Sequence, residues 1–171
     1  MSGTLIFIEN SDEINLLIDH IKADTIVISM QPSVSIELEK RGVKYQNTIK
    51  FFGVNGHKNV IERSTQIAEE LRPFIEGLGS KEIKYAFEKT WIFHFRFFLH
   101  YWLATIYVIH KVVQCYNPDK LITLRLNRVS QLDMNVTGNN RILGIVVEKY
   151  GKAHGIKVHC IDNFIKISVI F

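Results

Sequence analysis

The stretch WIFHFRFFLHYWLATIYVIH, Trp91 to His110, decides between two incompatible folds. A bilayer crossing needs about 20 largely apolar residues, and this segment is long enough. Read as a span, it would make the chain a membrane protein. Read as a helix buried in the protein or laid on a surface, it leaves a water-exposed α/β fold. Two internal features count against a span. His94, Arg96 and His100 interrupt it, and a central arginine costs about 2.5–3.5 kcal/mol on insertion scales. Its aromatic residues run through the whole segment instead of forming two interfacial belts. The segment therefore reads as one long helix packed on the sheet or against another domain. An interfacial helix is the alternative, anchored by Trp91, Tyr101, Trp102 and Tyr107 with basic Arg96 and Lys111.

The flanks are a third feature against a span. TLIFIE, from Thr4, and TIVISM, from Thr25, are short β-rich apolar runs bounded by polar residues, the pattern of buried strands. Between them Ile14, Leu17, Ile18 and Ile21 recur at helical spacing, after the cap candidates Asn10 and Ser11. Pro32 opens a helix that ends near Gly42, and Val43 to Tyr45 reads as a short third strand. An irregular stretch around Phe51–Gly53 leads to a helix from Lys58 to Ile75, with Pro73 placed to bend its end. The aromatic segment stops at the turn signal Asn117-Pro118-Asp119. KLITLRL from Lys120 is a strand. A polar loop, a helix capped by Asn139 or Asn140, and the strand KVHCI from Lys157 follow. Strands alternating with amphipathic helices predict an α/β, Rossmann-like three-layer fold with a mostly parallel sheet and one long aromatic-rich helix. The whole chain, 1–171, is expected to form one such domain.

Composition narrows the function. A formal charge of +4 and a pI near 9.0 are mildly basic, without the dense basic stripe of a nucleic-acid binder. The two cysteines, Cys115 and Cys160, form no CxxC pair and have no close histidine set, so no metal site is expected, and free thiols suit a reducing cytosol. The N-terminus lacks the basic region of a signal peptide. No GxGxxG follows the first strand, and no Walker, HExxH or GxSxG motif occurs. No cofactor is therefore expected.

In open parallel sheets, ligands bind beyond the carboxyl ends of the strands, where the strand order reverses. That rule selects Asn10 and Ser11 after the first strand and Gln31 and Ser33 after the second. It also selects Arg125, Asn127 and Arg128 at or after the end of KLITLRL, Asn139, Asn140 and Arg141 at the next helix start, and Asp162 and Asn163 after KVHCI. Guanidinium groups and a helix N-terminus favour phosphate or carboxylate, while the Asn and Gln amides suit sugar hydroxyls. Asn10, Gln31, Arg128, Asn140 and Arg141 are the ligand-binding candidates; no catalytic base can be read from spacing. His94 and His100 fall on different sides of a helix and make no metal pair.

The stretches YNPDKLITLRLNR and NNRILGIVVEKYGKAHGIKVHCID carry a Pro-Asp-Lys before an apolar strand, then a helix leading through Gly-Ile into the next strand. This resembles the N-terminal Rossmann-like half of GT-B glycosyltransferases of surface-polysaccharide biosynthesis, over Tyr116 to Asp162. The resemblance implies the acceptor-side domain of a cytoplasmic enzyme, with a sugar or lipid-linked acceptor as ligand. A nucleotide-sugar donor would be held by a second domain absent from these residues, so the chain is expected to be the N-terminal part of a longer two-domain protein. It also implies peripheral contact with the inner face of a membrane. Two other roles fit the residues: a non-enzymatic binding or scaffold domain that uses the aromatic helix, and a small flavodoxin-like phosphate- or nucleotide-binding protein with its anion on Arg128 and Arg141.

Overall fold

In the computed structural model, which describes residues 3–77, 81–126 and 142–163, β1 (Thr4–Ile8) has four of its five residues buried. A strand apolar on both faces belongs at the centre of a parallel sheet covered on both sides. That is its position: five strands run in the order β3-β2-β1-β4-β5. The others are β2 (Thr25–Ser29), β3 (Gln46–Asn47), β4 (Lys120–Leu126) and β5 (Lys157–Asn163). Every pairing is parallel, with Thr4 opposite both Thr25 and Lys120. The order runs outward from β1 to β3, then returns to β1's other side for β4 and β5. The switch point is therefore between β1 and β4.

Two helical layers cover this sheet. On one face Ile6, Ile8, Val27 and Ile122 pack with Ile14 and Leu17 of α1 (Ile14–Leu17) and with Val34 and Leu38 of α2 (Pro32–Lys40). Burying each such side chain is worth about 1.5–3 kcal/mol. That burial is what holds α1, a single turn flanked by 3-10 turns at Ser11–Glu13 and Ile18–His20, since so short a helix is not stable by itself. On the other face lies α5 (Leu143–Ala153), which buries Leu143, Val146, Val147 and Tyr150 as the sequence periodicity predicts.

Two local differences from the sequence reading have physical causes. The third strand begins at Gln46 rather than Val43, because the Val43 amide closes the end of α2 by donating to Leu38 O at 3.0 Å. Gly42, at φ 68, donates to Glu39 O beside it, completing a Schellman cap. The irregular backbone predicted near Phe51 is confined to a kink at Gly53, with helical residues on either side. Helix α3 spans Ile49–Glu76 and is broken only at Gly53, whose φ of 50 a side chain would resist.

The chain divides into two compact units. One draws on 1–48 and 112–171 and holds the sheet; the other is 49–111. The second unit is a helical hairpin of α3 and α4 (Lys81–Tyr116), the long aromatic helix, whose last turn belongs to the sheet unit. Its antiparallel register is fixed by cross-helix pairs. Phe52 meets Tyr107 at 5.9 Å between ring centroids, His57 meets His100 at 5.3 Å, and Arg96 Nη2 donates to Thr65 Oγ1 at 2.8 Å. No helix among the described residues is long and apolar enough to cross a membrane.

Helix α5 reaches the sheet through two glycines. A Cβ at Gly144 would lie 2.2 Å from Leu124 O, and one at Gly151 would lie 2.1 Å from Val158 Cγ2. Alanine at a helix interior normally gains about 1 kcal/mol over glycine. Here overpacking costs typically 1–3 kcal/mol or more. Gly144→Ala, which meets backbone, is therefore expected to lower unfolding stability by about 2 kcal/mol net. Urea denaturation checks this; an unchanged or raised midpoint would show that α5 does not sit so close.

Candidate functional site at the strand ends

The C-terminal ends of β1 and β4 meet the start of α5. Glu9, the residue after β1, is 4% exposed, and its Oε2 accepts from the Leu143 amide, the first of α5, at 3.3 Å. Glu13, also 4% exposed, turns back to the strand. Its Oε2 accepts from the Glu9 amide at 2.9 Å and its Oε1 from Asn10 Nδ2 at 3.2 Å. Two carboxylates are thus held inside the protein at the switch point by amide donors. A carboxylate at a helix N-terminus also lies at the positive end of the helix dipole.

Asn10 is half-buried, occupies the cap position without capping the backbone, and instead binds Glu13 through its side chain. Gln31 follows the adjacent strand and opens α2 in extended conformation. Its carbonyl accepts from Ser29 Oγ at 2.9 Å and from the Val34 and Ser35 amides, and the Ser29 and Ser35 hydroxyls are 2.9 Å apart. The Met30 amide donates to Ile8 O, which ties the ends of β1 and β2 together. The structure therefore places Asn10 and Gln31 at the same end of neighbouring strands. Arg128, Asn140 and Arg141 lie outside the described residues, as do Ser11's fellow candidates Asn127 and Asn139. Arg125 lies away from the switch point, on the α5 side of β4, where its Nη2 meets Glu148 Oε1 at 2.8 Å.

Sequence reasoning passed over Glu9 and Glu13. Glu9 looked like the polar end of TLIFIE and Glu13 like an acid in a first helical turn. The available signal was the pairing of two acids four residues apart across a strand end, where one faces its own backbone.

The histidines do not gather into a metal centre: among the described residues no group of three or more His, Cys, Asp or Glu is placed to hold an ion. Two pairs of histidines remote in sequence meet, His20 with His159 and His57 with His100. Burial, with the charge of His57 second, holds the His100 imidazole below its usual 6.5. No family model, curated protein or solved structure matches the chain.

Two predictions follow from these contacts. Glu13→Ala removes the acceptor of a buried amide, which costs about 1–3 kcal/mol, whereas Glu13→Gln keeps one oxygen and should recover most of it. Equal urea midpoints for wild type and both variants would refute the inward carboxylate. For His100, the unfolded chain binds more protons than the folded hairpin just below the usual value. Stability present above 6.5 is therefore lost as pH falls. Thermal unfolding followed from neutral to mildly acidic pH should fall more steeply for wild type than for His100→Gln; parallel curves would contradict the assignment.

Proposed function

We propose that the sheet unit binds a hydroxyl-bearing ligand, a sugar, in the crevice beyond β1 and β4, as the acceptor-side domain of a glycosyltransferase-like protein of surface-polysaccharide biosynthesis. The observation that carries this reading is the buried Glu9 carboxylate on the α5 amide at the switch point of a parallel sheet. Crevices of this kind take ligands at strand ends, and the chemistry there decides which. Carboxylates accept from hydroxyl donors, and the Asn10 and Gln31 amides both donate and accept. Residues 9–13, Glu-Asn-Ser-Asp-Glu, place three acids where a glycine-rich loop would cradle pyrophosphate. A nucleotide donor is thus disfavoured here, in keeping with an acceptor role.

The same observation weakens the flavodoxin-like phosphate reading, because an anion at the start of α5 would compete with Glu9. The scaffold reading has separate support. Phe74, Tyr85 and Phe97 on the hairpin are 72%, 67% and 74% exposed. Trp102 is a poor anchor for it, being half-buried against Phe98 with its indole N–H sealed from solvent.

A monosaccharide panel titrated into the 171-residue chain and followed by amide chemical shifts tests the proposal. The expected result is saturable shifts at Asn10 and Gln31. Asn10→Ala should weaken binding about three- to tenfold, the worth of one neutral hydrogen bond. Absence of shifts at the strand ends with every sugar would refute it. Capture of a partner through the hairpin, lost in Phe97→Ser, would then favour the scaffold role.

A further inference from the structure

A second site stands in the hairpin unit. A groove of about 410 Å³ between α3 and α4 is lined by His57, Ile61 and Ser64 from one helix and Arg96, Phe97 and His100 from the other. His57, Ile61 and Ser64 follow at steps of four and three, so they share one face of α3. Arg96 and His100 are one turn apart on α4. No carboxylate lines the groove among the described residues. The guanidinium of Arg96 has a hydroxyl, Thr65 Oγ1, as its hydrogen-bond partner, and a guanidinium carries five N–H donors. Glu69, whose carboxyl is held below its usual range by Arg72 first and by the charge of Arg96 last, is bound by Arg72 through two bonds of 2.8 Å. Beside this cationic group sit the two imidazoles, 5.3 Å apart, each with a ring N–H to offer. Phe97 is 74% exposed and Ile61 40%, an apolar flank next to the charge.

The unit as a whole has the matching field. Residues 49–111 hold nine lysines and arginines against six acids, so most of the +4 of the chain resides there. An excess of that sign draws anions.

We infer that this groove binds an amphipathic anion, with a phosphate or carboxylate head on Arg96 beside His57 and His100 and an alkyl body over Phe97 and Ile61. Arginine suits such a head because its planar fork meets two oxygens at once. The site lies wholly within residues 49–111 and does not depend on the sugar reading of the sheet unit.

The test uses the intact chain and decyl phosphate below its micelle-forming concentration, with the imidazole resonances of His57 and His100 as readout. Saturable shifts are expected. Inorganic phosphate should bind more weakly and the neutral-headed decyl maltoside should give no saturable shift. Arg96→Gln should weaken decyl phosphate about ten- to a hundredfold, the usual worth of a charged hydrogen bond. Arg63→Gln, on an exposed guanidinium paired with Gln66 outside the groove, should leave affinity unchanged. Phe97→Ser, at an exposed position, should weaken decyl phosphate and leave inorganic phosphate unaffected. Equal binding of decyl phosphate and decyl maltoside would overturn the proposal, as would indifference to Arg96→Gln. Inorganic phosphate binding as tightly as decyl phosphate would remove the alkyl part. Binding to phosphatidylglycerol vesicles without binding to monomeric decyl phosphate would assign the surface to a membrane and overturn the groove.

Discussion

The parallel pairing of β1 with β4 is the contact on which the sheet depends. It joins the two wings of the sheet, and its strands are far apart in the sequence, with Thr4 opposite Lys120. Both ends of the contact are pinned. At the amino end the Asp119 amide donates to Gly3 O at 3.1 Å. At the carboxyl end the Leu143 amide donates to Glu9. The intervening residues include the whole hairpin unit, and a flexible loop of that length would carry a closure entropy that grows with the logarithm of its length. The hairpin avoids much of this. The Phe52–Tyr107 and His57–His100 contacts bring its two ends together within the unit, so the connection from β3 to β4 acts as a shorter one.

Glu9 has a second consequence, for ligand choice. A helix starting at a switch point is ordinarily the part of a parallel sheet most receptive to anions, because its first amides are unpaired and its dipole is positive there. In this chain the first α5 amide already faces a carboxylate supplied by the protein. A negative ligand arriving there meets a negative group in place, in surroundings where two acids are 4% exposed and screening by water is weak. A hydroxyl loses nothing by comparison, since it can donate to the same oxygens. The carboxylate thus converts a phosphate-favouring geometry into one that favours neutral hydrogen-bond donors.

Much of the fold was legible because burial leaves a period in the sequence. KLITLRL is a strand over its predicted extent, TLIFIE and TIVISM are strands that each end one residue earlier than predicted, and Ile142, Leu143, Val146, Val147 and Tyr150 are all buried. The long segment predicted to end at the Asn117-Pro118-Asp119 turn is a single helix, Lys81–Tyr116. What escaped was of another kind. The start of β3 depended on the Val43 amide, a backbone group no side-chain pattern reports. The predicted caps of α5, Asn139 and Asn140, lie outside the described residues; the acceptor of the Leu143 amide is Glu9, 134 residues away. His57 and His100 meet only because two helices lie antiparallel. Local periodicity encodes elements; the pairings that build sites are long-range and leave no local trace.

The two candidate sites follow opposite electrostatic rules, so the two proposed ligands would be kept apart by charge. The strand-end crevice is built around Glu9 and Glu13, the hairpin groove around Arg96, with no acid among the described residues of its lining. Thirteen of the nineteen aromatic residues lie between 49 and 111, with nine of the twenty-one lysines and arginines but only six of the seventeen acids. An anion favoured by one site is therefore opposed by the other, and a neutral polyol finds little purchase on the apolar flank that exposed Phe97 and Ile61 give the groove. Discrimination of this sort comes as much from the group that repels as from the one that attracts. In this chain that repelling group at the strand ends is the same Glu9 that fixes α5 to the sheet.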